Sequence, residues 1–440
     1  MRDDAAKILW AAVAAVEPRA AVRRSLRLET DRLSAGDTTL DLAQVERVLI
    51  VGVGKAAVGM TLGALDVLGD RASGGVVTTR YGHGAAISGV EVVEAAHPVP
   101  DEEGLRGALA TLDLVRGAGE RDLVLCLLSG GASALWPATA EGILLEDLQA
   151  VTDVLLRSGA AIRELNTVRK HLSAISGGLL AREAAPAAVL TLVLSDVVGS
   201  PHDVIASGPT TPDPTTYADA LAVLDQRGVG AAPSVRRRLE AGLRGQVPET
   251  PKPGDSAFEC CSNHIVARNR DALDAAAREA RARGYEPLIL TTRLTGEARF
   301  AGELLAALAL DVRADGLPLA PPCALLLGGE TTVNVRGDGV GGRNQEAALA
   351  AALALSGTPN VLAACLGTDG ADGPTDAAGG VVDGGTVERG ARLGLAAAEY
   401  LRRNDSHTYL RTVGDLLVTG PTGTNVNDVS LVLVRRAPNT

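Results

Sequence analysis

Aromatic residues are scarce, at 2% of 440 residues. Side chains that stack on bases or sugar rings are therefore few. Positive charge is in the minority, with 42 Lys+Arg against 53 Asp+Glu and a formal net charge of −11. That balance argues against nucleic acid or an anionic membrane as the main partner. No uninterrupted apolar run reaches the length of a membrane-spanning helix. Met1–Val16 carries Asp3, Asp4 and Lys7 ahead of a short apolar run, so it reads as an amphipathic helix and not as a signal peptide. The cysteines (Cys126, Cys260, Cys261, Cys323, Cys365) are odd in number and form no CxxC. They fit a reducing cytosol, giving a cytoplasmic expectation, and neither a zinc site nor a disulfide framework. The histidines show no HxxxH or HExxH, and each is expected to be structural, with a catalytic role left open for His97 and His202. Lysine is rarer still, confined to Lys7, Lys55, Lys170 and Lys252. A chain that uses arginine almost everywhere, yet keeps lysine inside a glycine-rich turn, suggests that an ammonium matters there, although codon bias gives the same pattern.

What is present is ordinary globular composition, 46% hydrophobic and 22% charged. The length predicts two or three domains. Apolar strands and helices alternate through the first half. Val48–Val53, Gly75–Thr79, Val90–Ala95, Leu123–Leu128 and Ala188–Leu194 read as strands. Ala56–Leu68, Glu102–Arg116 and Leu145–Ser158 read as helices between them. Such alternation predicts an α/β fold with a mostly parallel, doubly covered sheet. Gln246–Gly254 holds three prolines in a polar stretch and is the best linker candidate. The expected division is a domain at 1–245, a linker at 246–256 and a second α/β domain at 257–440. In the second, Asp271–Arg283 and Glu297–Arg313 look helical. Cys323–Leu327, Val361–Leu366 and Leu416–Thr419 look like strands, with Val429–Val434 expected to end the sheet.

Open α/β sheets bind ligands at the carboxyl ends of their strands, and the polar residues of this chain gather there. Gly52-Val53-Gly54-Lys55-Ala56-Ala57 follows the first of these strands and opens a helix. It matches a loose GxGxxA, in which helix amides can hold an anion. The Walker spacing is absent. Lys55 is either a point charge on a phosphate or an exposed lysine on an ordinary turn. Ser129-Gly130-Gly131-Ala132-Ser133 ends the next central strand, either as an anion nest or as a serine-capped glycine turn. Arg169, Lys170 and His171 form a basic island, or one face of a solvated helix. Asp196 ends an apolar strand, where it can bind Mg²⁺, act as a base or simply form a turn. Glu330 follows a strand, and Arg343 and Asn344 open an Ala-rich helix, where an arginine can clamp a carboxylate or phosphate. Asp369, Asp372 and Asp376 cluster in a glycine-rich loop, as hard-cation ligands or as a series of Asp-Gly turns. Gly420–Asp428 is a similar polar loop.

Taken together these segments resemble one family. VGVGKAAVGM (51–60), HPVPDEEG (97–104), LLSGGASAL (127–135), LNTVRKHLSAISGG (165–178), LSDVVGSPHDVIASGPT (194–210), GGETTVNV (328–335), GGRNQEAAL (341–349), GTDGADGPTDAAG (367–379) and TGPTGTNVNDV (419–429) occur in one order along nearly the whole chain. They are similar to the two-domain glycerate 2-kinases with a C-terminal MOFRL region, here about 320–435. The resemblance implies an N-terminal Rossmann-like domain, a smaller C-terminal α/β domain and an active site between them. It implies phosphorylation of D-glycerate at the 2-hydroxyl, with ATP and Mg²⁺ or another divalent cation, and leaves a homodimer open. Lys55 and Arg343 match the catalytic positions, and Asp196 joins them as a candidate base. Gly52, Gly54, Ser129, Gly130, Gly131, Ser133, Glu330 and Asn344 are the candidate cofactor contacts. Arg169 and Lys170 are candidates for the substrate, and Asp369, Asp372 and Asp376 for the metal.

Two other classes remain open. GxGxxA with Arg80 suits an NAD(P)-dependent hydroxypyruvate reductase, with Arg80 meeting a 2′-phosphate, although no His–carboxylate pair for hydride transfer is evident. A non-catalytic sensor of small anions would use the same cationic sites without turnover.

Overall fold

The fold is taken from a computed structural model, and it is described for residues 1–436. The chain divides into two compact units, Pro18–Val266 on one hand, and Ala267 onward together with Met1–Glu17 on the other.

In the first unit, five strands run parallel in the order Val90–Ala95, Ala72–Arg80, Arg47–Val53, Asp122–Leu128, Ala188–Leu194. Cys261–Ala267 adds a sixth beside the last of these. The central strands are apolar on both faces because helices cover both. Glu102–Arg116 packs one face through Ala108, Leu112 and Val115, in a core shared with Leu49, Val51 and Val124. A satellite core joins helices Leu145–Arg157, Ile162–Leu172, Tyr217–Gln226 and Pro233–Leu243. Leu26–Glu29, Arg32–Ala35 and Thr38–Asp41 make a small antiparallel sheet that the strand–helix alternation does not announce.

The second unit has a mixed sheet in the order Glu286–Leu294, Cys323–Gly329, Asp428–Val434, Val361–Gly367, Gly379–Asp383, Leu416–Leu417. Only the first pair is parallel. The last strand of the chain therefore lies in the middle of the sheet. It inserts antiparallel between two strands and is buried throughout.

Two boundaries differ from those expected. The helix Arg2–Ala15 counts with the second unit, because Ala5, Ile8, Leu9, Ala12 and Val13 are buried where it packs on helix Asn269–Ala282. The proline-rich segment falls inside the first unit and is anchored there. Asp213 N–H donates to the Pro251 carbonyl at 2.9 Å, and Glu249 lies 3.0 Å from His171. Closely spaced prolines disfavour a helix interior or a central strand, but they do not prevent packing. Among the described residues no helix is long and apolar enough to cross a membrane.

Candidate active site

The parallel sheet grows outward from Arg47–Val53 in one direction and resumes at Asp122–Leu128 in the other. Both glycine loops follow these two strands, so they sit where the strand order reverses and a crevice opens.

The first loop is closed on itself. Gly54 has φ +122°, and a Cβ there would collide with the Ser129 carbonyl, so only glycine fits. The Gly54, Lys55 and Ala57 amides donate to the carbonyls of Thr78 (3.1 Å), Gly130 (2.9 Å) and Gly54 (3.2 Å). Ala56 N–H donates to Ser129 Oγ at 3.0 Å. Every amide from Gly54 to Ala57 is engaged, so the anion cradle expected on this loop is not formed. What the loop delivers is the Lys55 side chain. Ser129 is 1% exposed, and its hydroxyl fixes the turn instead of facing a ligand.

The second loop is open. Among the described residues, the amides of Gly130, Gly131, Ala132 and Ser133 meet no protein acceptor, which is the character of an anion nest. A Cβ on Gly131 would lie 3.0 Å from His97 Cδ2 and 3.6 Å from Lys55 Cγ, and one on Gly130 would overlap the Asp196 carboxylate. Lys55, His97 and Asp196 follow three different strands and converge on two adjacent glycines. Burial, then the positive charges of Lys55 and Arg80, lower the His97 imidazole to about 4. It is therefore neutral at pH 7.

The basic island is split. Arg169 Nε donates to Thr152 Oγ1 at 3.3 Å, and no carboxylate pairs with it among the described residues. Burial lowers its pKa. It lines a narrow pocket with Ser133, Trp136, Ser176 and Ser207. The Ser133 and Ser207 hydroxyls are 2.8 Å apart. Neighbouring helix residues point about 100° apart, so Lys170 turns into the core. Its Nζ lies 3.3 Å from the fully buried Asp213. His171 faces Glu249, and hydrogen bonds to His171, Thr250 and Tyr217 outweigh burial and hold the Glu249 carboxyl at about 2. Lys170, expected to meet the substrate, is thus engaged with Asp213 inside the core.

In the second unit, Arg343 opens helix Arg343–Ala354. It donates to both oxygens of Asp428, at 2.6 and 2.9 Å, and its Nη1 lies 3.4 Å from Glu330. The bidentate clamp expected for a ligand already holds a carboxylate of the chain itself. Burial opposes its charge, but Asp428 outweighs that and raises the Arg343 pKa. The antiparallel strand carries Asp428 beside Gly329 and Gly367, the last residues of its two neighbours. Asp372 accepts the Asn344 and Gln345 amides at 3.0 and 2.8 Å and so caps the helix. Burial pushes the Asp372 and Asp428 carboxyls up despite these donors. Asn344 Nδ2 is likewise engaged with Asp428 and Asp372, at 3.0 and 3.3 Å.

Asp376 is paired with Arg411 at 2.6 Å, and Asp369 accepts the Ala371 amide. The three aspartates expected to bind metal do not converge. Among the described residues no group of three or more His, Cys, Asp or Glu could hold a metal ion. Glu330 and Arg343 border an open pocket of about 610 Å³ with Thr331, Thr332 and Asn404.

Ser207 and Asp428 join the candidates only through the structure, and His97, for which the sequence left a catalytic role open, is placed by it beside Gly131. Ser207 and Asp428 had a faint sequence signal, in IASGP and the polar loop ending at Asp428, as His97 had in HPVP. None has a spacing that distinguishes it from a turn residue.

Residues 4–240 match the domain of unknown function DUF4147, and residues 323–428 match the MOFRL family. A D-glycerate 2-kinase of Thermotoga maritima is 46% identical over 397 residues, 90% of this chain and 93% of that protein. A protein of Agrobacterium vitis, provisionally named a hydroxypyruvate reductase, is 43% identical over 97% of this chain and 93% of that protein. The crystal structure of a glycerate kinase from Thermotoga maritima superposes with a TM-score of 0.88 at 43% identity, covering 98% of this chain and 99% of that one.

Proposed function

The chain belongs to the glycerate 2-kinase family, in which a DUF4147 domain precedes a MOFRL region, and from that premise we propose that it phosphorylates D-glycerate at the 2-hydroxyl. ATP is the phosphoryl donor in this reading, accompanied by Mg²⁺ or another divalent cation. The observation that carries it is the meeting of Lys55, His97 and Asp196 on Gly130–Gly131. Phosphoryl transfer needs positioning and charge stabilisation more than covalent help.

Lys55 offsets negative charge on the transferred group, and the amides of Gly130–Ser133 hold its oxygens. Asp196 accepts the proton of the attacking hydroxyl. Bound nucleotide supplies the phosphoryl group, and its cation neutralises phosphate charge. Mg²⁺ ordinarily keeps several waters and uses one or two carboxylates plus the phosphates, which fits a chain without a cage of three acidic ligands among its described residues. Arg343 acts by positioning, holding Asp428 and facing Glu330 beside the open pocket of its own unit. A cytoplasmic location belongs to the same proposal and rests on the unpaired cysteine pattern.

The test is purified protein with D-glycerate, ATP and Mg²⁺, reading ADP release and the product by phosphorus NMR. Glycerate-dependent ADP with a 2-phosphoglycerate signal is the expected result. A 3-phosphoglycerate signal would overturn the regiochemistry alone. No ADP above the control, with NADPH oxidised in the presence of hydroxypyruvate, would replace the kinase by the reductase.

A further inference from the structure

We infer that the pocket of Arg169, Ser133, Ser176 and Ser207 receives the carboxylate of the substrate, with Ser207 as a positioning residue. This deepens the kinase reading and rests on it for the identity of the acid. Two arginines compete for that carboxylate on sequence grounds, and the structure separates them. Arg343 is already clamped on Asp428. Arg169 is half-buried, and among the described residues the partner of its guanidinium is the neutral Thr152 hydroxyl. A guanidinium has five N–H donors, and one drawn partly out of water ordinarily finds further acceptors. An arginine without an acid partner among the described residues, lining a pocket edged by serine hydroxyls, calls for an anion from outside the chain. The pocket is narrow, which suits a planar carboxylate and not a nucleotide.

Its location fits a 2-hydroxy acid. Ser133 stands two residues beyond Gly131, where Lys55 and His97 meet. The 2-hydroxyl sits on the carbon next to the carboxylate, so an acid anchored at Ser133 keeps its reacting oxygen close to that loop. The wall opposite Ser133 is held in an uncommon conformation. Ala206, Ser207 and Gly208 have φ of +54°, +58° and +61° in succession, a region that L-residues avoid. Such strain persists where the surroundings over-determine it, and it clusters at ligand sites. Here it aims the Ser207 hydroxyl at Ser133, 2.8 Å away, and at Asn166 Oδ1, 3.3 Å away.

The experiment measures kinetics for D-glycerate and ATP separately, and binding of D-glycerate without nucleotide by calorimetry. It uses the full chain and the variants Arg169→Gln, Arg169→Lys and Ser207→Ala, with melting curves as the folding control. Arg169→Gln should raise the D-glycerate KM by about 30-fold or more, as expected for lost charge-assisted hydrogen bonds. The ATP KM should stay within about twofold, and Arg169→Lys should recover part of the loss. Ser207→Ala should raise the D-glycerate KM by roughly 5-fold with little change in kcat, the scale of one neutral hydrogen bond. Unchanged D-glycerate KM and binding in folded Arg169→Gln, or in Arg169→Lys if the glutamine variant does not fold, would overturn the assignment. If the unmodified protein does not phosphorylate D-glycerate, the kinase reading fails by itself. The pocket is then judged on binding of D-lactate and D-glycerate: loss of binding in the Arg169 variants supports it, and equal binding overturns it.

Discussion

Asp372 offers the sharpest separation of a metal ligand from a structural carboxylate. Its side chain is buried and accepts four N–H groups, from the Asn344 and Gln345 backbones at 3.0 and 2.8 Å and from their side-chain amides at 3.3 and 3.0 Å. In Asp372→Ala the side-chain amides keep other acceptors, since Asn344 still reaches Asp428 and Gln345 still reaches Thr375. The two backbone amides do not. Loss of a helix cap costs about 1–2 kcal/mol, and a buried donor without a partner costs about 1–3 kcal/mol. Removing a carboxylate that burial has already penalised returns part of this. The net expectation is a loss of about 2–3 kcal/mol, with Asp372→Asn losing roughly half because it keeps one acceptor oxygen. Urea unfolding followed by circular dichroism, with and without Mg²⁺, reads the effect as a shift in midpoint. The capping role predicts the same shift in both conditions. A variant as stable as the parent in chelator, and weaker only by failing to gain stability from Mg²⁺, would refute the capping argument and restore the metal assignment.

Four further outcomes are expected. Lys55→Met should lower kcat by about 10²-fold or more, comparable to removing one preorganised donor, and full activity in a folded variant would end its catalytic assignment. Lys170→Met leaves Asp213 buried without its ammonium, so stability should fall by about 3–5 kcal/mol. The D-glycerate KM should stay unchanged, and a selective rise in it would return Lys170 to the substrate site. Ser129→Ala should lose about 1–3 kcal/mol by orphaning the Ala56 amide, which a thermal or urea melt detects. The lowered His97 pKa means that the unfolded chain binds more protons than the folded one between 6.5 and about 4. This contribution is complete above pH 6.5 and is lost as pH falls toward 4. Melting curves at pH 7 and 4.5 should therefore diverge less in His97→Gln than in the parent, and parallel losses would count against it.

Much of this was legible from periodicity. Continuous apolar strands followed by glycines predict a parallel sheet buried on both faces, and the strands at 47–53, 122–128 and 188–194 form it. Collinear motifs also pointed to the family. What periodicity does not show has one cause, which is that spacing names candidate donors but not their partners. Gly52–Ala57 reads as a phosphate loop until its amides are traced to Thr78, Gly130 and Ser129. Arg343 and Arg169 are both candidates for an anion in the sequence, yet among the described residues one guanidinium holds Asp428 and the other a threonine. Asp369, Asp372 and Asp376 share a loop, but one caps a helix and another pairs with Arg411.

The sequence by itself determined the class of fold, the glycine turns at strand ends and the family, because these depend on local periodicity and on residue order. The tertiary structure alone decided which polar groups remain available for a ligand. That depends on contacts between residues far apart in the chain, such as the antiparallel insertion that sets Asp428 beside Gly329 and Gly367. A polar atom inside a protein takes whichever partner the packing brings within 3 Å or so, and no linear spacing encodes that choice.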